Sequence, residues 1–156
     1  MSYSLEAFVA RPPVLARLAP GVVTVALPQG FALLPLTDAN FAALSEGLSL
    51  SGAGLTGQDE LPELPIELAD KARLASAAGP LAWLAAESFG GVGGQVAAVW
   101  RDHGLTLRPL LGPDAIATAL LALGVTPATG QDAFAALGLG RHRHTDDWLS
   151  ARPDND

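Results

Sequence analysis

The chain has 156 residues, the length of one ordinary domain and enough to bury a sizeable hydrophobic core. It contains no cysteine, which excludes disulfide bonds, thiolate metal sites and a cysteine nucleophile. The net charge is −7 and lysine and arginine together number nine, so the sequence lacks the basic face that a nucleic-acid binder needs.

The beginning of the chain predicts a strand, a short helix and a hairpin. Residues 2–10 alternate apolar and polar side chains in the manner of a strand. Pro13 fits the first turn of a short helix. Residues 22–27 and 31–36 are separated by a Pro-Gln-Gly turn, so these two runs predict a β-hairpin.

A helix and a long loop are expected next. Thr37 is a good N-cap, and Phe41 and Leu44 are spaced to face inward from the helix that it starts. Residues 46–64 mix glycine, serine and proline with acids, which predicts a long surface loop of a kind that is often functional. The acids in this loop that are candidates for contact with a basic partner are Asp59, Glu60 and Glu63.

The middle of the chain gives the clearest strand pattern. Its first two runs are apolar on both faces, which is typical of central strands. Residues 103–104, His-Gly, are expected to form a two-residue link to a third strand, placing Trp100 opposite Leu107. The three strands of this predicted meander are residues 81–89, 95–102 and 105–110.

The remaining predicted elements are helical. Residues 65–79 begin with proline and end at Gly-Pro, both of which mark helix boundaries. Residues 113–124 carry isoleucine and leucine at helical spacing and end at glycine. A short helix is expected at 132–138, and the tail at 152–156 is expected to fray.

Together these elements predict one α+β domain over residues 1–156. The sheet would be mostly antiparallel, built from the hairpin and the three-stranded meander, with helices packed on it.

The sequence also bears on where the protein resides. Glu6 comes early and no basic region precedes an apolar stretch, so we expect no signal peptide. Every apolar run stops well short of the ~20 residues that span a bilayer. We therefore expect a soluble, cytoplasmic protein that does not enter the membrane, and its alanine, glycine, leucine and arginine bias is typical of GC-rich bacteria.

The most unusual stretch is SFGGVGGQVAAVW at 88–100, where four glycines fall within five residues. Gly91 and Gly93 fit the first pair of a dinucleotide-binding fingerprint, but Val96 takes the third position and a strand follows. No Gly-Lys-Ser/Thr is present for a P-loop. We favour a wide turn between strands with no cofactor, and contact with a ligand is the alternative.

Glu87 and Gln95 flank the glycine run and are further candidates for ligand contact. Strand alternation places Glu87 on the same face as Trp83 and Phe89. A carboxyl among aromatic rings is paired, partly solvated or raised in pKa. A hydrogen-bonded glutamate at a strand end is the simpler interpretation, and a Glu87–Gln95 polar pair that recognises a ligand is the alternative.

A second candidate site is GRHRHTDDW at 140–148. His142 and His144 are two residues apart, so on an extended segment they point the same way and could bind a metal together with Asp146. No His-Glu-x-x-His or comparable helical spacing accompanies them.

The same segment has two other interpretations. Arg141 and Arg143 can pair with the two aspartates that follow Thr145, the expected N-cap of a last helical turn in which Trp148 packs as an anchor. Arginine and tryptophan are also enriched in protein interfaces, so Arg141, Arg143 and Trp148 are candidates for contact with a partner.

Three stretches, ESFGGVGGQVAAVW, ALLALGV and DAFAALGLGRHRHTDDW, resemble a family of small uncharacterised proteins common in GC-rich actinobacteria. These proteins carry a strand–FGGxG-Q–strand element and end in a GLGRHR-x-x-DW segment. The resemblance covers about residues 80–150. Small acidic proteins of this kind look like immunity proteins of bacterial toxin systems, so the resemblance implies a toxin-binding role and assigns no catalytic residue.

Three classes of function follow. The first is a non-enzymatic protein-binding domain, such as an immunity protein, whose acidic loop meets a basic surface. The absence of a Gly-x-Ser-x-Gly nucleophile elbow favours this class. The second is a metal-dependent or small-molecule enzyme that uses His142, His144, Asp146 and Glu87, and the third is a structural subunit of a larger assembly.

Overall fold

The computed structural model describes residues 2–58, 61–89 and 92–150. These residues form six strands and six helices in an α+β arrangement, which confirms the predicted fold class. The strands are β1 (Ser2–Ala10), β2 (Val25–Ala26), β3 (Ala32–Pro35), β4 (Leu81–Phe89), β5 (Val92–Arg101) and β6 (Gly104–Leu111). The helices are α1 (Pro12–Leu18), α2 (Asp38–Ser45), α3 (Ile66–Ala75), α4 (Ala115–Leu123), α5 (Ala133–Ala136) and α6 (Asp147–Ser150).

The strands form one sheet in the order β2-β3-β1-β4-β5-β6, and all neighbours are antiparallel. The predicted hairpin (β2–β3) and meander (β4–β5–β6) are both present. Strand β1 lies between them and pairs with β4 over its whole length but with β3 only over residues 7–10. The first half of β1 is therefore left without a strand on its β3 side.

Helices cover both faces of the sheet, which explains why its central strands are apolar throughout. On one face α1 and α3 pack over a core that contains Phe8 and Trp83. On the other face Ile116 and Leu120 of α4 pack over Leu84. No helix within the described ranges is both long and apolar enough to span a membrane.

The β5–β6 turn lies one residue earlier than the sequence predicts. Arg101 pairs with Gly104, so the turn residues are Asp102 and His103, with φ of 50° and 69°. Positive φ is unfavourable for residues that have a side chain. Ser76 supports the turn, because its C=O accepts from the Asp102 N–H (3.2 Å) and its Oγ accepts from the His103 N–H (3.0 Å).

The register of the β5–β6 pair also corrects an expectation. Trp100 lies opposite Leu105, and Leu107 lies opposite Val99. The ladder shifts register between Ala97 and Trp100, and a bulge of this kind cannot be read from alternation alone.

Candidate functional site

An open cleft of about 240 Å³ lies where β1, β4 and β5 meet α5 and the segment before α4. This is below the roughly 300–1,000 Å³ of pockets for drug-sized ligands, so the cleft has room for one side chain or a small fragment. We call it the Tyr3 cleft, and its lining residues are Tyr3, Ala86, Glu87, Ser88, Gly94, Gln95, Pro113 and Phe134.

Tyr3 and Phe134 form an aromatic wall of this cleft. Their rings meet edge to face with centroids 6.0 Å apart. The Tyr3 hydroxyl donates to the Leu139 carbonyl at 2.8 Å. Burial raises the pKa of Tyr3, so its hydroxyl stays protonated and keeps this hydrogen bond.

Gln95 is a second polar group of the Tyr3 cleft and is fixed by α4. Its Oε1 accepts from the Ile116 N–H at 3.0 Å, and its backbone C=O accepts from the Gly112 N–H at 3.1 Å. The first N–H groups of a helix have no partner within the helix, so Gln95 satisfies one of them. The Nε2 amide of Gln95 has no acceptor within the described ranges, which leaves two donors.

The predicted polar pair of Glu87 and Gln95 is not formed. The register places Glu87 opposite Gly94 and Ala86 opposite Gln95. Residues directly opposite each other share a face, so the side chains of Glu87 and Gln95 emerge on opposite faces of the sheet. Both residues nonetheless contribute to the lining of the Tyr3 cleft.

The glycine run is mostly strand rather than a wide turn. Gly93 and Gly94 belong to β5 and pair with Ser88 and Glu87. Gly90 and Gly91 lie outside the described residues. A Cβ placed on Gly94 would lie 3.8 Å from Leu61, an ordinary contact, so close approach of another group does not demand glycine there.

Glu6 is a mostly buried carboxyl on the opposite face of the sheet. Burial raises its pKa to about 7, and the charges of Glu87 and Glu63 act in the same direction. The indole N–H of Trp83 favours the charged form of Glu6 and opposes this shift. Strand alternation places Glu6 on the same face as buried Phe8, and this pattern is the signal in the sequence that could have marked it as a buried acid.

Glu63, a candidate for partner contact, makes hydrogen bonds that hold the 46–64 loop together. Its carboxylate accepts from the N–H and Oγ1 of Thr56, and from the N–H groups of Gly57 and Leu64, at 2.6 to 3.1 Å. Gly54 packs so closely against the Glu63 side chain that no Cβ would fit. Asp59 and Glu60, the other two candidate acids, lie outside the described residues.

The Glu63 carboxylate is therefore expected to be needed for order in this loop. Glu63→Ala removes an acceptor from four donors and should lower the free energy of unfolding by about 2 kcal/mol. Cleavage by a protease within residues 53–64 should also become faster. Glu46→Ala, at an exposed position before these contacts, is the control, and equal cleavage rates in the two variants would contradict the role of Glu63.

The 46–64 loop is also less superficial than expected. Leu64 is fully buried, and Leu55 and Leu61 pack against the core that contains Trp83. The loop residue Gly54 forms an isolated bridge with Pro65. The loop thus closes one face of the sheet near Glu6.

Trp148 is a buried core residue. Its side chain is 3 % exposed and belongs to the core on the α4 side of the sheet. The rings of His142 and Trp148 meet edge to face with centroids 4.7 Å apart. The Arg141 guanidinium lies 5.2 Å from the centroid of the Trp148 ring. Arg143 is exposed and remains a candidate for partner contact.

The C-terminal segment, residues 138–150, fills the free side of β1 where β3 ends. The Ser4 N–H donates to the Arg143 carbonyl at 2.7 Å, and the Glu6 N–H donates to Thr145 Oγ1 at 3.0 Å. The Thr145 side chain was expected to cap the last helix, but its hydroxyl oxygen accepts from β1 instead. Unpaired strand N–H groups are costly when buried, so this segment completes the sheet.

The predicted metal ligands are not gathered. His142 packs edge to face against Trp148, whereas Nδ1 of His144 lies 3.2 Å from the Ser4 hydroxyl. Asp146 is exposed. Across the ranges that the structure describes, no three histidine, aspartate or glutamate side chains are placed to hold a metal ion together.

Fold and cleft together define an α+β domain with a small, partly aromatic cleft at one end of its sheet. Comparison with protein-family models, curated proteins and solved structures finds no match to this chain. The resemblance to the actinobacterial proteins therefore stays a prediction from the sequence.

Proposed function

We propose that the chain is a non-enzymatic protein-binding domain, with an immunity protein as the specific form of this role, and that β6 is its interface. The observation that carries the proposal is the exposure of this strand. β6 is an eight-residue edge strand, and Leu105, Leu110 and Leu111 on it are exposed. Edge strands present unpaired backbone groups, to which an extended segment of another protein can add.

The charge of the chain supports a basic partner. The net charge of −7 would accelerate association with a basic surface more than it would tighten the complex. Glu63 is used within its loop, so the attraction would come from the acidic surface as a whole. Arg108 is the single charged residue of β6 and would favour a carboxylate directly opposite it in the added strand.

The catalytic alternative has less support. Of the residues proposed for metal binding, His142 packs edge to face against Trp148, Nδ1 of His144 lies 3.2 Å from the Ser4 hydroxyl, and Asp146 is exposed. The contacts of the two histidines serve packing.

Peptides that bind β6 are expected to depend on Leu111. A displayed library of random peptides would be selected against the wild-type chain, and the enriched peptides tested on variants. Leu111→Asp should lower the affinity of these peptides by tenfold or more, since a charge replaces an apolar contact. Leu121→Asp is a matched control on α4, because Leu121 is 53 % exposed and Leu111 is 54 % exposed.

The two variants separate the possible results. Loss of binding in Leu111→Asp alone would support the β6 interface. The β6 interface would be overturned if peptides were enriched no better on the protein than on a blank surface. It would also be overturned if both variants lost peptide affinity equally.

A further inference from the structure

The Tyr3 cleft lies beside the exposed end of β6. A second hollow of about 200 Å³ runs from the strand end to the start of α4. Pro113 lines both this hollow and the Tyr3 cleft. The shared Pro113 places the cleft next to the end of an extended segment that adds to β6. The residues that line the second hollow are Leu110, Leu111, Gly112, Pro113, Asp114 and Ala115.

The walls of the cleft suit an aromatic side chain. Tyr3 and Phe134 offer ring edges and faces on one side, and Pro113 and Ala86 are apolar. Aromatic rings gain from such edge-to-face and stacked contacts beyond the area they bury. The volume of about 240 Å³ admits one such side chain and little more.

The free donors of Gln95 favour an occupant that carries a hydrogen-bond acceptor beside its aromatic ring. The Nε2 amide of Gln95 has two N–H donors that make no hydrogen bond within the described ranges. Its orientation is fixed, because Oε1 accepts a hydrogen bond from the Ile116 N–H. A backbone carbonyl next to the aromatic residue would accept from Nε2. This contact would recognise a peptide rather than a hydrocarbon, because a buried donor left without an acceptor is costly.

The cleft offers no cation to an acidic occupant. No lysine, arginine or histidine is among the residues that line the cleft or the neighbouring hollow, and Asp114 lines that hollow. A carboxylate placed in the cleft would therefore have no ion-pair partner. An uncharged aromatic residue in a neutral or basic segment complements the site.

From these observations we infer that the Tyr3 cleft is the anchor pocket of the β6 interface and binds one uncharged aromatic side chain of the partner, whose adjacent backbone carbonyl accepts from Gln95. This inference rests on the proposed function for its partner. The binding chemistry of the cleft is independent of that function and can be tested without a partner.

The probe is N-acetyl-tyrosinamide, titrated while the side-chain amide signals of the protein are followed by NMR. We expect the NMR signals of the Gln95 side-chain amide to shift, with a dissociation constant on the order of 1 mM, the range expected for a small fragment. N-acetyl-aspartamide, which carries a carboxylate in place of the ring, should cause no saturable shift.

The decisive variant is Gln95→Glu. It keeps an oxygen that accepts from the Ile116 N–H and removes both donors, so the fold should persist while probe affinity falls about tenfold. Gln131→Glu is the matched control, because Gln131 is exposed and its Oε1 likewise accepts a backbone N–H, that of Ala128. Phe134→Leu, which removes one aromatic ring from the wall of the cleft, should also lower the affinity for the probe.

The outcomes separate the two proposals. Probe binding that is unchanged in Gln95→Glu and Phe134→Leu would overturn the anchor pocket, even if peptides depend on Leu111. Probe binding that depends on Gln95, without any peptide that depends on Leu111, would support the pocket and overturn the β6 interface.

Discussion

Glu6→Gln is expected to raise the free energy of unfolding by about 3 kcal/mol at about pH 8 and to change it little at about pH 4. Burial raises the pKa of Glu6 from 4.5 to about 7 in the folded chain. Each pKa unit corresponds to about 1.4 kcal/mol of preference for the protonated form. A neutral amide of the same shape removes the cost of holding a charge there.

The direction of the pH dependence follows from proton binding. Between about pH 4.5 and about pH 7 the folded chain keeps the Glu6 proton that the unfolded chain has lost. The folded state therefore binds more protons, and its stability falls as pH rises through this range and then levels off. In Glu6→Gln this part of the slope should be absent.

Denaturant unfolding at several pH values measures the effect. Glu46→Gln, which neutralises an exposed acid, is the control and should follow the wild-type pH profile. The groups that face Glu6, namely Glu87, Glu63 and Trp83, are intact in both variants. A wild-type slope that persists in Glu6→Gln would show that Glu6 is not the buried acid that sets it.

Elements that depend on local chemistry could be predicted from the sequence. Thr37 caps α2 as expected, since its Oγ1 accepts from the Asn40 N–H at 3.1 Å. The hairpin and the meander follow from short turns between β-rich runs. These signals lie within a few residues of one another, so no knowledge of the rest of the chain is needed.

The candidate site was harder to predict because it depends on strand register. Glu87 and Gln95 flank the same turn, and a shift of one residue in pairing decides whether they share a face. The register places Gln95 opposite Ala86, and this separates the two polar side chains. Gln95 was identified as a candidate from the sequence, but its aromatic neighbours Tyr3 and Phe134 were not, because they are distant in the chain.

The role of the C-terminal segment could not be predicted for a related reason. Ser4 and Arg143 are joined by a backbone hydrogen bond across nearly the whole chain. No local pattern marks a segment that completes a distant strand. The composition of GRHRHTDDW, rich in histidine and charge, instead favoured metal or partner binding.

Trp148→Ala is expected to lower the free energy of unfolding by about 3–5 kcal/mol, the range for removing a buried aromatic side chain. Trp148 holds His142 and Arg141 against the core, so its loss should release the whole C-terminal segment. Trp148→Phe keeps an apolar ring and removes an indole N–H that is buried without a partner. It should therefore lower the free energy of unfolding by less than Trp148→Ala does.

Hydrogen exchange distinguishes this structural role from partner binding. In Trp148→Ala the amides of Ser4 and Glu6 should lose protection, because their acceptors belong to Arg143 and Thr145. Amides of β1 that pair with β4 should exchange more slowly than these two, since that ladder does not involve the segment. A variant with unchanged stability and unchanged exchange at Ser4 and Glu6 would instead return Trp148 to the partner surface.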